Sequence, residues 1–196
     1  STNSYSLVWN GTATESDYTL SENLGTLEIT ASTKELKVVS ADGSWTYDGD
    51  AHTKYEYTVT YGTESYDVTI AEDATTGTAT LSTGDVVTIT PAESATITHV
   101  AESDVTNAFS YTVANSAQYS SQEKEEGTLT VTAATLTITT ESASREYNGS
   151  PLTAGGSISG FVTPTDGEQE TATFTVTGSQ TTVGSSTNSY SLVWNG

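Results

Sequence analysis

The chain contains 196 residues and carries a formal net charge of −20, because 25 acidic residues face only five basic ones. So acidic a surface repels nucleic acid and anionic membranes, whose phosphates are usually bound through Lys and Arg. Disulfide bonds, thiolate zinc sites and thiol catalysis are excluded because there is no Cys. Neither end carries a targeting signal and no apolar run is long enough to cross a bilayer, so we expect an interior stretch of a longer protein, without membrane insertion.

The N-terminal residues 1–31 contain two echoes of later sequence. Residues 1–11 read STNSYSLVWNG, and the same letters recur at residues 186–196. Residues 18–30, YTLSENLGTLEIT, are similar to residues 119–132, YSSQEKEEGTLTVT. The alternation of apolar and polar residues at 27–29 predicts a strand. Both echoes indicate that residues 1–31 are the closing strands of a preceding repeat copy.

Residues 32–132 are predicted to form the first complete domain. Apolar and polar residues alternate, as is typical of half-buried strands, at 55–59, 86–89, 109–113 and 129–131. Thr, Val, Ile and Tyr favour strands, and no segment has a helical period. About seven short strands per unit favour a β-sandwich of immunoglobulin type.

Two matching turns lie near the start of the two domains. Residues 44–53 read SWTYDGDAHT, and residues 144–153 read SREYNGSPLT. The dipeptides Asp48-Gly49 and Asn148-Gly149 favour type I′ hairpin turns, in which both central residues have positive φ. We therefore predict that these four residues are structural, and that a Cβ at either glycine is destabilising.

Residues 133–196 are predicted to form a second domain of the same kind, with strands at 136–138 and 174–176. Its Asn-led NSYSLVW at 188–194 aligns with NAFSYTV in the first domain. After this strand it lacks a closing segment like residues 12–30. Only about three residues join the two domains, too few for a flexible linker, so they should stack as a semi-rigid rod. The predicted fold is all-β, with tandem immunoglobulin-like β-sandwich domains stacked end to end.

These segments resemble a known repeat family. SREYNGSPLT, FTVTGSQTTVGSSTNSYSLVWNG and DYTLSENLGTLEIT are similar to the immunoglobulin-like MBG or YDG repeats of large Gram-positive bacterial surface proteins. The stretch from SWTYDGDAHTKYEYTVTYG to YSSQEKEEGTLTVT resembles the partner module that alternates with them. The resemblance covers almost the whole chain. It implies an extracellular, cell-wall-attached protein in which such modules form a non-enzymatic stalk or adhesive fibre.

No group of residues forms a convincing catalytic template. Ser121 and Lys124 match the S-x-x-K motif of β-lactamases, but they are predicted to lie in a turn without the companion motifs. His52 and His99 are the only histidines, too few for a histidine-rich metal site. We therefore predict that the protein is not an enzyme and has no cofactor.

Two stabilising features stay open as alternatives. Calcium would bind carboxylates near Gly turns at 48–50 or 166–168, although neither continues into a full ligand loop. An internal isopeptide bond would join Lys34 or Lys37 to Asn115 in the first domain. The second domain has Arg145 as its single basic residue and cannot form such a bond.

Trp45 and Trp194 are candidates for an aromatic platform that stacks on a glycan. Aromatic residues at alternate strand positions more often pack in a core. Weak binding of a host glycan or matrix protein by the modules themselves is the alternative to a purely structural stalk.

Residues 12–30 resemble the closing segment that the second domain lacks, which predicts a neighbouring copy as partner. Residues 12–30 of one copy would complete the open second domain of a neighbouring copy, giving head-to-tail fibres by strand addition. The predicted strand-addition residues are Tyr18, Gly25, Thr26, Leu27 and Ile29.

Overall fold

The computed structural model describes residues 3–71 and 73–194, so four terminal residues of the repeated STNSYSLVWNG lie outside the described residues: Ser1, Thr2, Asn195 and Gly196. Almost all of its regular structure is β-strand, and the helical turns within these ranges are three-residue 3₁₀ turns. The predicted all-β class is therefore confirmed. In chain order the strands are β1 Ser32–Ser40, β2 Gly43–Thr46, β3 Glu56–Tyr61, β4 Glu64–Thr69, β5 Gly77–Thr80, β6 Val86–Pro91, β7 Val105–Thr106, β8 Phe109–Val113, β9 Tyr119–Glu125, β10 Thr128–Thr132, β11 Thr137–Thr140, β12 Gly156–Ser159, β13 Ala172–Val176 and β14 Tyr190–Trp194.

Residues 32–132, which we call the first module, build two sheets around one hydrophobic core. The sheet β4-β3-β1-β9 and the sheet β5-β6-β8 both contribute to this core. Along β3 the side chains of Tyr57, Val59 and Tyr61 are buried and alternate with more exposed ones, because successive strand residues point to opposite faces. The strands predicted from alternation in this module are all present.

Two strand pairs run parallel through the first module and change sheet together. β1 pairs with β9 in parallel, and after a short bend β2 pairs with β10 in parallel. β10 also pairs antiparallel with β7, which gives a third sheet of order β2-β10-β7. A second, smaller core lies on this sheet, where Leu129 and Val131 of β10 pack with Ile97.

Residues 133–194, which we call the second module, contain two antiparallel ladders. β11 pairs with β12, and β13 pairs with β14. The strands predicted at 136–138 and 174–176 correspond to β11 and β13. Within the described part of the second module, strands corresponding to β9 and β10 are absent. Its ladders are therefore less covered than those of the first module.

Residues 3–31, which we call the N-terminal segment, form no strand, so the strand predicted at 27–29 is wrong. The segment contains one 3₁₀ turn, Glu15–Asp17, and its internal contacts include a bond from the Asn3 N–H to the Gly25 carbonyl at 3.4 Å. A strand needs a neighbour to accept its hydrogen bonds. In the first module the corresponding place is already occupied by β9 and β10.

The two matching turns have positive φ at their glycines but are not type I′ hairpins. Gly49 has a φ of 87° and Gly149 one of 78°, whereas Asp48 and Asn148 stay outside the positive region. The flanking β2 and β3 do not pair with each other. Instead, the Asp48 and Asn148 side chains accept a hydrogen bond from the N–H two residues on, at 3.0 Å and 3.1 Å. This side-chain turn replaces the predicted hairpin.

We predict that Gly149→Ala destabilises the second module by about 1 kcal/mol, because a Cβ is strained at this φ. Open space surrounds Gly149, so strain alone acts there, whereas a Cβ on Gly49 would also lie 2.5 Å from the Pro164 ring. Gly49→Ala should therefore cost more than Gly149→Ala. Thermal unfolding of both variants measures this difference, and equal losses would contradict the contact with Pro164.

Candidate functional site

The bend between the sheets of the first module is organised by a buried side chain, Asn107. Its amide nitrogen donates to the carbonyls of Ala41 and Lys54, each at 2.8 Å, and its backbone N–H donates to the Gly127 carbonyl at 2.8 Å. The hydroxyl of Ser40 donates to the Asn107 carbonyl at 2.7 Å and accepts from the Gly127 N–H at 2.9 Å. These bonds tie the bend of β1–β2 to the bend of β9–β10.

The second module repeats this arrangement around Asn188. Its amide nitrogen lies 2.9 Å from the Glu141 carbonyl and 3.3 Å from the Gly155 carbonyl. The Glu141 N–H donates to Gly155, as the Ala41 N–H donates to Glu56 in the first module. Asn107 and Asn188 begin the two aligned strands NAFSYTV and NSYSLVW, but their role as hydrogen-bonding centres was not predicted from the sequence. The repeated Asn was the signal that could have identified them.

The two modules also share a β-bridge and an antiparallel ladder. An isolated bridge joins His52 to Ile97 in the first module, and another joins Leu152 to Gln180 in the second. β6 and β8 form an antiparallel ladder, and β13 and β14 form its counterpart in the second module. The ring centroids of Phe174 and Tyr190 lie 5.8 Å apart across this second ladder. The two modules thus share one framework, to which the first adds further strands.

The second module has a groove along residues 143–146, whose counterparts in β2 pair with β10 in the first module. One cavity of about 500 Å³ is lined by residues that include Arg145, Leu152 and Gln180. A second, of about 280 Å³, is lined by residues 141–143 and 185–188, among others. Arg145 stands at the position of Trp45, which in the first module packs against the buried side chains of β10. The groove is therefore the counterpart of an occupied strand position.

The predicted strand-addition residues are exposed and lie apart from this groove in the chain's own contacts. Tyr18 stacks on Trp9 with ring centroids 5.3 Å apart, and both Thr26 and Leu27 are exposed. Ile29 is 94% exposed, an unusual state for a large apolar side chain. No atom lies within 4 Å of where a Cβ on Gly25 would be.

The two modules contact each other directly through polar groups. The Asp50 carboxylate accepts hydrogen bonds from the Thr165 N–H at 2.9 Å and from its hydroxyl at 2.6 Å. The Tyr47 hydroxyl donates to the Glu170 carboxylate, and this bond raises the pKa of Tyr47. Asp48 and Asp50 stand on the first turn, and the Asp48 pKa is lowered by the Asp50 N–H and by His52. The first turn is thus an element of the junction.

The two tryptophans proposed as a glycan platform lie in different surroundings. Trp45 is half-buried and stacks on His52, with ring centroids 4.8 Å apart and planes inclined by 5°. Trp194 is 64% exposed and lines a cavity of about 200 Å³ at the junction, together with Tyr47 and Phe161. Trp45 does not line this cavity, so the structure does not join both rings in it.

The residues named for an isopeptide bond pair with other side chains. Lys34 lies 3.6 Å from Glu64, Lys37 pairs with Glu125, and the Asn115 amide donates to Asp85 at 2.8 Å.

Among the described residues, no group of three or more His, Asp or Glu side chains is placed to hold a metal ion. The absence of a cofactor, with calcium as its alternative, stays a prediction. Over the same part of the chain, no helix has the length and apolar character required to cross a membrane.

Comparison of the chain with protein-family models, with curated proteins and with solved structures gave no match.

Proposed function

We propose that the chain is a non-enzymatic structural repeat module of a bacterial cell-surface stalk or fibre that projects an adhesive tip. The observation that carries this proposal is one framework used twice in tandem, with direct bonds between its copies. Asp50 with Thr165 and Tyr47 with Glu170 couple the modules without an intervening flexible linker. A rod of such modules holds whatever it carries at a distance from the surface.

The family resemblance supports an extracellular setting in this proposal. The charge of −20 keeps neighbouring rods apart in solution. We also propose that the modules are immunoglobulin-like, stack end to end and are related to the MBG and YDG repeats. The proposal implies that the protein is attached to a cell wall.

Small-angle scattering of the full chain tests the proposal. We expect an elongated profile, because each module adds roughly 35 to 45 Å when strands advance about 3.3 Å per residue. Asp50→Ala should broaden the distribution of sizes by removing the bonds to Thr165, whereas Asp67→Ala on β4 should not. A compact profile for the unmodified chain would contradict a stalk.

A weak adhesin is the second candidate, and the exposure of Trp194 favours it. A ring that is 64% exposed beside an apolar cavity is available to stack on a sugar face. Reproducible binding on a glycan or matrix-protein array, abolished by Trp194→Ala and retained by Trp45→Ala, would support this function. A stalk alone predicts no binding.

A further inference from the structure

β10 shows what a strand does in the place that is open in the second module. Leu129 and Val131 are buried there against a cluster that includes Trp45. Their strand pairs in parallel with β2, with Leu129 opposite Gly43 and Val131 opposite Trp45. In the second module the same positions are Ala143 and Arg145, which line the 500 Å³ groove.

The N-terminal segment carries the sequence of this strand without its buried apolar contacts. It keeps one backbone bond, from the Asn3 N–H to the Gly25 carbonyl at 3.4 Å, where the Asn107 N–H donates to Gly127 in the first module. Residues 25–30 read GTLEIT, and residues 127–132 read GTLTVT. Leu27 therefore corresponds to Leu129, and Ile29 corresponds to Val131. The two members of the N-terminal segment are exposed, whereas those of β10 are buried. Two large apolar side chains are thus spaced for a groove that they do not reach within their own chain.

Gly25 is a glycine at a position where only the docked strand would require one. Its counterpart Gly127 has to be a glycine, because a Cβ there would lie 2.5 Å from the carbonyl oxygen of Ala41. Gly25 has no such neighbour in the structure, so its own surroundings give no reason for a glycine. Docking beside Glu141, which stands at the position of Ala41, would supply that reason.

At the bend of the second module, the backbone N–H of Asn188 is a donor that a docked strand could use. In the first module the Asn107 N–H donates to the Gly127 carbonyl. Within the part of the chain that the structure describes, the Asn188 N–H has no acceptor. Thr140 ends β11 as Ser40 ends β1, so the second module has a hydroxyl residue at the position that accepts the Gly127 N–H in the first module. The carbonyl of a docked Gly25 would accept from the Asn188 N–H in place of the Asn3 N–H, from which it accepts at 3.4 Å in its own chain.

We infer that residues 18–30 of a second copy of this chain bind along the second module in the place of β9 and β10. This inference rests on the proposed function, since it makes the rod capable of extending itself. The incoming strand runs parallel to residues 143–146. Leu27 lies opposite Ala143, Glu28 opposite Ser144 and Ile29 opposite Arg145, with both apolar side chains in the groove.

Association should depend on salt and on the buried positions of the strand. Both partners are acidic, so added salt screens their repulsion and strengthens self-association. Sedimentation of the full chain at rising concentration measures this. Leu27→Asp should weaken association by at least about tenfold, because it places a charge in the groove. Ser6→Asp is the charge-matched control, since Ser6 is exposed and lies outside residues 12–30.

The position of the strand is tested by disulfide trapping, which the Cys-free chain makes unambiguous. A Glu28→Cys variant mixed with a Ser144→Cys variant should form a crosslink between copies, because their counterparts Thr130 and Ser44 are directly opposite. Glu15→Cys, on the 3₁₀ turn, should crosslink to the same partner much less. Equal crosslinking of both would overturn the register.

The outcomes separate this inference from the proposed function. A chain that stays monomeric at every concentration and salt level, yet scatters as a rod, overturns the inference and leaves the stalk. A compact particle that still traps the 28–144 crosslink between copies overturns the stalk instead. If one chain carrying both Cys residues closes on itself as a monomer, the strand binds within its own copy and the second-copy inference is wrong.

Discussion

Asn107→Ala is expected to destabilise the first module by about 3 kcal/mol. The substitution removes two donors from the carbonyls of Ala41 and Lys54, and each buried carbonyl left without a partner costs about 1–3 kcal/mol. Asn107 is fully buried, so water does not replace the lost donors without opening the bend. Denaturant unfolding followed by the fluorescence of Trp45, with Trp9 and Trp194 replaced by Phe, measures the loss.

The matched control for this substitution is Asn3→Ala. Asn3 begins the N-terminal copy of the Asn-led segment, as Asn107 and Asn188 begin the other two. Asn3 is exposed, so its side chain should contribute little to stability. Asn188→Ala should fall between the two, because it bonds to Glu141 and Gly155 in a less covered module. Equal losses for Asn107→Ala and Asn3→Ala would show that the buried amide does not hold the bend.

Gly127→Ala should destabilise the first module by at least about 3 kcal/mol. A Cβ at this position would lie 2.5 Å from the Ala41 carbonyl oxygen and 2.6 Å from that of Ser40. Both are backbone atoms, so no side-chain rotation relieves the overlap and the parallel pairs must separate at their bend. Urea unfolding gives the change, and near-ultraviolet circular dichroism reports whether the packing around Trp45 is disturbed.

Gly25→Ala is the control, since the corresponding glycine in the N-terminal segment has open space around it. Its effect on the stability of the monomer should stay within about 0.5 kcal/mol. A small effect of Gly127→Ala, similar to that of Gly25→Ala, would mean that β1–β2 and β9–β10 do not need their close approach.

The local properties of the chain could be predicted from its sequence. Alternation at 55–59 and at 109–113 places apolar side chains on one face, which depends only on the two-residue period of a strand. Positive φ at Gly49 and Gly149 follows from the missing Cβ. NAFSYTV and NSYSLVW are also readable as related segments, and each supplies a strand of an antiparallel ladder.

Other features depend on contacts between distant residues, and only the tertiary structure decided them. Residues 27–29 and 129–131 alternate alike, yet only the second group forms a strand, because β2 and β7 are there to pair with it. Asn107 became a structural centre because Ala41 and Lys54 fold around it. A strand needs a partner and a buried amide needs acceptors, and these are supplied by segments far away along the chain. The sequence by itself therefore determined which residues can form strands and turns, and the tertiary structure decided which of them found partners.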